Sequence, residues 1–310
     1  MRRAVIILVA GAAPLLARCV GDSSSTAQDG GPDATTDAVP AQDASNDVSD
    51  AGGPTSCDVD SSFGSASLVA GLPAGSTYLR LTPDHLTGYF QLANDAGTNN
   101  VYVAQRTDES APFGSAAVAI GDDDARQPAV TGDGLAIYFW GYRPTTDPGH
   151  GDDIFYASRA TTAVPFGSPT RLTTVDSDSD DSSPFIREDG KVLYLVSDTV
   201  GTGFARSVNT GAGFGAPTPV TELSSGVGDI DPAVTPDDLV VYWSSKRTGG
   251  GGGDYDIWVA TRQQAGDVFS NLRPVSELNS ASAEHVDFIT EDRCSIYFHR
   301  PGVGIFVASK

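Results

Sequence analysis

Apolar and polar residues alternate along most of this chain in short runs, the period-two pattern of half-buried β-strands. Little of it carries the 3.6-residue period of a long amphipathic helix. Runs such as "LAIYFW" (135–140) and "LVVYWS" (239–244) are entered through turns containing aspartate, and each turn follows another apolar run, "PAVT" at 128–131 and 232–235. The arrangement occurs five times. The turns are "TPDH" (Asp84), "TGDG" (Asp133), "REDG" (Asp189), "TPDD" (Asp237) and "TEDR" (Asp292), and five residues after each aspartate stands Tyr89, Tyr138, Tyr194, Tyr242 or Tyr297. Aspartate suits such a turn because its carboxylate accepts nearby backbone N–H groups, and glycine suits it because it adopts positive φ freely.

A third run follows each hairpin: "VYVAQ", "IFYAS", "GFARS", "IWVAT" and "IFVAS". Its alanine (104, 157, 205, 260, 308) lies 11 to 19 residues beyond the tyrosine, so length varies mainly between the second and third strands. A fourth element begins at Phe63, Phe113, Phe166, Phe214 and Phe269. Four short antiparallel strands repeated about every 50 residues predict the blades of a β-propeller. The first copy opens with a fourth-strand unit, "SFGSASLVAGL", and the last ends on a third strand at Lys310. The expected fold is therefore all-β, a five-bladed propeller whose N-terminal strand closes the last blade and so removes the exposed sheet edges. Cys57 and Cys294 fall on the same face of that ring and are expected to form a disulfide, with two unpaired buried thiols as the alternative.

The stretch "VYWSSKRTGGGGGDYDIWVATR…FSNLRPVSELNSASAEHVDFITEDRCSIYF" resembles the WD40-like propeller repeats of TolB and of bacterial envelope proteins related to OmpA. The likeness spans Phe63 to Lys310 and is closest over Asp231 to Phe298. It implies a periplasmic or surface-exposed propeller that binds proteins rather than catalysing. Two departures keep the family's partners from transferring: five repeats stand where TolB has six blades, and no peptidoglycan-binding domain follows them.

The remaining segments fit export. Arg2 and Arg3 precede an apolar stretch from Ala4 to Ala17, too short to span a bilayer comfortably, so residues 1–19 read as a signal peptide. Leu16, Ala17 and Cys19 resemble a lipobox with Cys19 as the lipidated residue, although Arg18 stands where a small residue is usual; cleavage near "AGAA" and a soluble secreted protein is the alternative. Residues 20–56 hold seven aspartates and no aromatic, Lys or Arg, a composition expected to remain a disordered tether. The propeller, residues 57–310, carries 33 Asp and Glu against 16 Lys and Arg, which disfavours nucleic acid and anionic lipid and leaves the N-terminal anchor as the only membrane contact.

Those acids concentrate in the connections entering the inner strands: Asp122, Asp123 and Asp124; Asp176, Asp178, Asp180 and Asp181; Asp229 and Asp231; Glu284 and Asp287. With Asp152, Asp153, Asp254 and Asp256 they are expected to ring one mouth of the channel. Ca²⁺ accepts flexible, oxygen-rich loops, and Asp176, Asp178 and Asp180 are its candidate ligands, a merely solvated acidic rim being the alternative. Trp140 and Trp243, with Tyr142, lie near the strand ends at that mouth, where they read as a contact surface or as inter-blade packing. Gly249–Gly253 lead into a strand rather than a helix and lack Gly-Lys-Ser/Thr, so they read as a mobile connection and not a phosphate loop. On this reading Asp287 is the only inner-strand carboxylate, poor equipment for glycoside hydrolysis, and the histidines (85, 150, 285, 299) show no metal-ligand spacing. The expectation is a monomeric, non-catalytic envelope propeller, without nucleic-acid contact, binding a protein partner or a glycan through its acidic loop face. A carbohydrate-binding or glycoside-hydrolase propeller using the same mouth is the alternative.

Overall fold

The computed structural model describes residues 56–121, 124–142, 151–177, 179–198, 201 and 203–310. The expected signal peptide with Cys19, the linker up to residue 55, and Asp122, Asp123, His150 and Asp178 lie outside them. The described residues form five four-stranded antiparallel sheets. The first blade is β2 (Thr77–Leu81), β3 (Thr87–Ala93), β4 (Asn99–Gln105) and β5 (Ala117–Ile120). The second is β6 (Arg126–Val130), β7 (Ala136–Gly141), β8 (Asp153–Ser158) and β9 (Thr170–Arg171). The third is β10 (Asp181–Ile186), β11 (Val192–Ser197), β12 (Gly203–Val208) and β13 (Thr218–Pro219). The fourth is β14 (Asp229–Val234), β15 (Val240–Ser245), β16 (Asp256–Thr261) and β17 (Ser270–Pro274). The fifth joins β18 (His285–Ile289), β19 (Ser295–Arg300) and β20 (Gly304–Ser309) to β1 (Ser67–Leu68), with Ser67 opposite Val307 and Leu68 opposite Phe306. The inner strands β2, β6, β10, β14 and β18 touch their neighbours in that cyclic order. The expected five-bladed propeller, closed by its N-terminal strand, is the fold observed.

The repeated residues are explained by local chemistry. In four turns a threonine hydroxyl donates to the aspartate two residues on, at 2.6 Å in each case: Thr82 to Asp84, Thr131 to Asp133, Thr235 to Asp237 and Thr290 to Asp292. In the third blade Arg187 takes that place beside Asp189. Each aspartate then accepts a backbone N–H two positions later, from Leu86, Leu135, Lys191, Leu239 and Cys294. The residue between adopts positive φ, and only two of the five are glycine; His85, Asp238 and Arg293 bear the strain at the others.

Each repeated tyrosine and the residue after it lie in a middle strand packed on both faces, so Phe90, Phe139, Leu195, Trp243 and Phe298 are all fully buried. Burial of such side chains stabilises by about 1.5–3 kcal/mol each. A further repeated residue follows the third strand. Arg106, Arg159 and Arg262 donate Nε–H to the turn carbonyls of His85, Gly134 and Asp238, and they lie over Phe113, Phe166 and Phe269 at 4.1–4.9 Å. Lys310 covers Phe63 in the same way. Arg159 also donates to the Tyr89 hydroxyl of the preceding blade, and Arg262 to that of Tyr194. The fourth-strand phenylalanine and the middle-strand tyrosine thus belong to one clasp that binds successive blades. Cys57 and Cys294 are joined by a disulfide, tying the N-terminal segment to the turn of the last blade.

Candidate functional site

The carboxylates expected to form a solvated rim are largely committed to structure. Asp181 and Asp229 open β10 and β14, Glu284 immediately precedes β18, and each accepts both the N–H and the hydroxyl of the serine four residues earlier: Ser177, Ser225 and Ser280. Asp229 also accepts from Trp243 Nε1–H (3.1 Å), Ser245 Oγ–H (2.6 Å) and Arg247 (2.9 Å). Burial disfavours its charge, but the hydrogen bonds from Ser225 and Ser245 and the Arg247 guanidinium outweigh that and hold its carboxyl below the ordinary value. Glu284 pairs with Arg300 at 2.8 Å, Asp124 with Arg126 at 2.7 Å, and Asp176 with Arg171. Burial pushes the Asp176 carboxyl up to about 8 against the pull of Arg171, and the charge of Asp153 on the same guanidinium adds to the rise.

Of the candidate calcium ligands, then, Asp176 is spent on Arg171, Asp180 accepts the Asp152 N–H at 3.1 Å, and Asp178 lies outside the described residues. Among the described residues no group of three or more His, Cys, Asp or Glu side chains could hold a metal ion.

Three expectations need correction. Trp243 is 0% exposed, its indole N–H satisfied by Asp229, so it packs the interior and offers no contact surface. Trp140 is half-buried, its ring covered by the Arg126 guanidinium at 4.7 Å. Gly250, Gly251 and Gly253 are packed against neighbouring chain, unlike a loose joint: a Cβ at Gly250 would lie 2.1 Å from Asp256 Oδ2, and one at Gly253 would lie 2.1 Å from the Ser282 carbonyl oxygen.

The third correction identifies the site. Asp287 is not alone on the inner strands, because β10 and β14 begin upstream of their prolines and carry Asp181, Asp229 and Asp231. Proline cannot donate to a ladder, and here Pro128, Pro184 and Pro232 fall within β-bulges that let pairing continue beyond them. The bulge residues Tyr78, Gln127, Ser183 and Asp231 all have φ of 48–58°, and in β18 the corresponding irregularity falls at Asp287. Contacts between non-adjacent blades place these side chains together in the channel. Gln127 of the second blade donates from Nε2 to Asp231 of the fourth. Its Oε1 accepts from Ser183 N–H and Oγ–H of the third blade and from Trp140, while its N–H is bonded to Gln91 of the first.

Two imidazoles complete the cluster, in pairings that sequence proximity hid. His285 Nδ1 meets Asp231 Oδ2 at 2.8 Å, and His299 Nδ1 meets Asp287 Oδ1 at 2.6 Å. The two histidines are opposite one another on β18 and β19, and their rings stack with centroids 4.9 Å apart. Tyr78 stands edge-on to His299 at 4.4 Å, and Tyr255 lies 4.9 Å from His285. Burial disfavours a charged His285, but Asp231 outweighs it and raises the imidazole above its ordinary value. Burial lifts the Tyr78 phenol well above its usual range. Deeper lies Arg80, lowered to about 10 by burial against the charges of Asp287 and Asp231, with Nε and Nη1 unpartnered above the Phe185 ring. Asp287 is 0% exposed and its Oδ2 has no partner. Asp231 and Asp287 were named from the sequence as site residues; His299 was seen there but set aside, and Tyr78, Gln127 and Ser183 were not named, since only their position relative to the blade repeat could have found them.

No family model matches the sequence, and no curated protein matches it. Among solved structures the fold is similar to TolB from Acinetobacter baumannii, with 11% identity and a TM-score of 0.51 over 76% of this chain and 54% of that one. The chain thus spans about half the length of that protein. It is also similar to the catalytic domain of a GH62 α-L-arabinofuranosidase from Coprinopsis cinerea, at 11% identity and a TM-score of 0.50 over 83% of this chain and 98% of that one. A putative TolB from Agrobacterium tumefaciens aligns at 16% identity with a TM-score of 0.48 over 78% of each chain. At these identities the likeness is one of fold.

Proposed function

We propose that the chain is an exported binding propeller of the bacterial envelope, held by its N-terminal segment through Cys19, that receives a polar segment of a protein partner at the loop-face mouth of its channel. One observation carries the reading. The turn recurs in all five copies, the Arg or Lys clasp in four and the serine-capped acid in three, yet the residues at the bulges vary and are polar: Tyr78, Gln127, Ser183 and Asp231, with Asp287 at the irregularity of β18. A purely structural channel would be filled with apolar side chains at lower desolvation cost. The disulfide and the signal-like N-terminus support an oxidising compartment. A protein partner is favoured over a sugar because one face each of Trp140 and Tyr255 is already covered, by Arg126 and Lys246.

Glycoside hydrolysis is the second reading, supported by two channel carboxylates, Asp231 and Asp287, in place of the one expected. Turnover assays on a panel of aryl glycosides separate the two. The proposal expects no hydrolysis above background; hydrolysis abolished by both Asp231→Asn and Asp287→Asn would replace it with the enzyme reading.

A further inference from the structure

We propose that the cleft between the first and second blades, beside their turns, binds an arginine side chain presented by a protein partner. The cleft has a volume of about 860 Å³, and its lining holds none of the channel residues Tyr78, Gln127, Ser183, Asp231 and Asp287. Register explains why it is open. Across the second, third and fourth strands of a blade, each repeated tyrosine heads a row of directly opposed residues on one sheet face. In the second blade the row is Tyr138, Tyr156 and Thr170; in the third, Tyr194, Arg206 and Thr218; in the fourth, Tyr242, Val259 and Arg273. Each of these rows adds one long side chain beside its tyrosine. Tyr156 stacks on Tyr138, Arg206 reaches Asp238 in the turn of the next blade, and Arg273 reaches the Val59 carbonyl and the Asp60 carboxylate. In the first blade the row is Tyr89, Val103 and Ala117, and both added residues are short. The fifth row, Tyr297, Val307 and Ser67, is short too, but there the chain beyond β1 lies against the next blade, and the Ala70 carbonyl accepts the Phe113 N–H. With Arg273 and residues 59–63 in place, the space beside Tyr242 is only about 160 Å³.

Charge selects the occupant. The charged residues lining the cleft are Asp84, Asp133 and Arg159. Arg159 is already committed to the Gly134 carbonyl and the Tyr89 hydroxyl, so the cleft carries one negative charge in excess. Each aspartate uses Oδ1 for its own turn, and among the described residues neither Oδ2 has a hydrogen-bond donor. Their counterpart in the fourth blade, Asp237, instead gives its Oδ2 to Arg293, the positive-φ residue of the next turn, where the second blade has Gly134. The chain itself thus fills two of its clefts with arginine and pairs a turn carboxylate with a third. A guanidinium entering beside Val103 meets the same surroundings, a turn carboxylate next to a buried tyrosine, and its planar donors suit a carboxylate oxygen better than a lysine ammonium does. The site does not rest on the channel reading.

NMR titration of the full chain with the blocked peptide acetyl-Gly-Arg-Gly-amide, and with the same peptide carrying citrulline, tests the site. The arginine peptide is expected to shift the amide signals of Val103 and Ala117. Citrulline keeps the shape and loses the charge, and should bind at least about fivefold more weakly. Asp84→Asn with Asp133→Asn keeps the acceptor each turn needs and should weaken the arginine peptide by about fivefold or more. Asp95→Asn, exposed beyond the far end of β3, should bind as wild type. Val103→Arg supplies from within the side chain that Arg206 supplies in the third blade; it should abolish peptide binding and raise the denaturation midpoint. If that variant fails to fold, Ala117→Arg, at the position of Arg273 in the fourth blade, takes its place. If both fail, the citrulline and double-asparagine comparisons decide. Absence of shifts with the arginine peptide, equal binding of the citrulline peptide, or full binding by a folded arginine variant overturns the site. These titrations stand whether or not the channel captures a partner, so the two proposals fail separately.

Discussion

Asp229 shows how a single side chain can look like surface chemistry and act as a joint. Five donor groups converge on its carboxylate, from Ser225 (two), Trp243, Ser245 and Arg247. Asp229→Asn keeps the shape but loses the charge and one acceptor, and should cost about 2 kcal/mol of stability at neutral pH by chemical denaturation. Because the folded carboxyl lies below its unfolded value, its contribution is present above the unfolded pKa and is lost as pH falls through the folded one. The gap between wild type and variant should therefore narrow in acid. Gly253 gives a steric counterpart. Gly253→Ala drives a Cβ into the Ser282 carbonyl and should cost about 1–3 kcal/mol. Gly252→Ala, with nothing within 4 Å, should cost only the strain of its positive φ, about 1 kcal/mol. The glycine run reads as flexible in sequence because the contacts of Gly251 and Gly253, at 279–282, lie in the following connection. Asp229 and Glu284 read as solvated because the arginines that bury them, Arg247 and Arg300, lie beyond the next strand in sequence.

At the scale of the blade, the turn and its aspartate–tyrosine interval were legible because their chemistry is local: a threonine, an aspartate and an N–H within five residues. The clasp was not, since Arg262 reaches Asp238 and Tyr194 across 24 and 68 residues. Arg262 is paired at 2.6 Å with Asp238, and both are buried. Removing one partner of such a pair strands the other, so Arg262→Ala should cost about 3 kcal/mol or more. Arg106→Ala, whose hydrogen bonds go to backbone carbonyls and not to a buried carboxylate, should cost clearly less. Paired urea titrations check the ranking; equal costs would mean that stacking on phenylalanine, common to both, dominates the clasp.

For the whole molecule, closure was predictable from the phase of the repeat, and the pairing of Ser67 with Val307 bears it out. The disulfide ties residues separated by 237 positions, so replacing both cysteines by serine should cost about 4 kcal/mol, read as a lower denaturation midpoint. The channel was half legible. Asp231 and Asp287 were visible as acids, but their partners were not, because His299 comes to Asp287 through strand register and Gln127 comes to Asp231 from two blades away. The direct test of the account is capture from envelope extract by three full-length baits: wild type, Asp231→Asn with Asp287→Asn, and Asp180→Asn with Asp254→Asn on the loop rim. Retention of the same partner by wild type and the rim variant, with loss by the folded channel variant, is the predicted result. Loss by the rim variant, with retention by the channel variant, would contradict it and return the contact surface to the acidic rim.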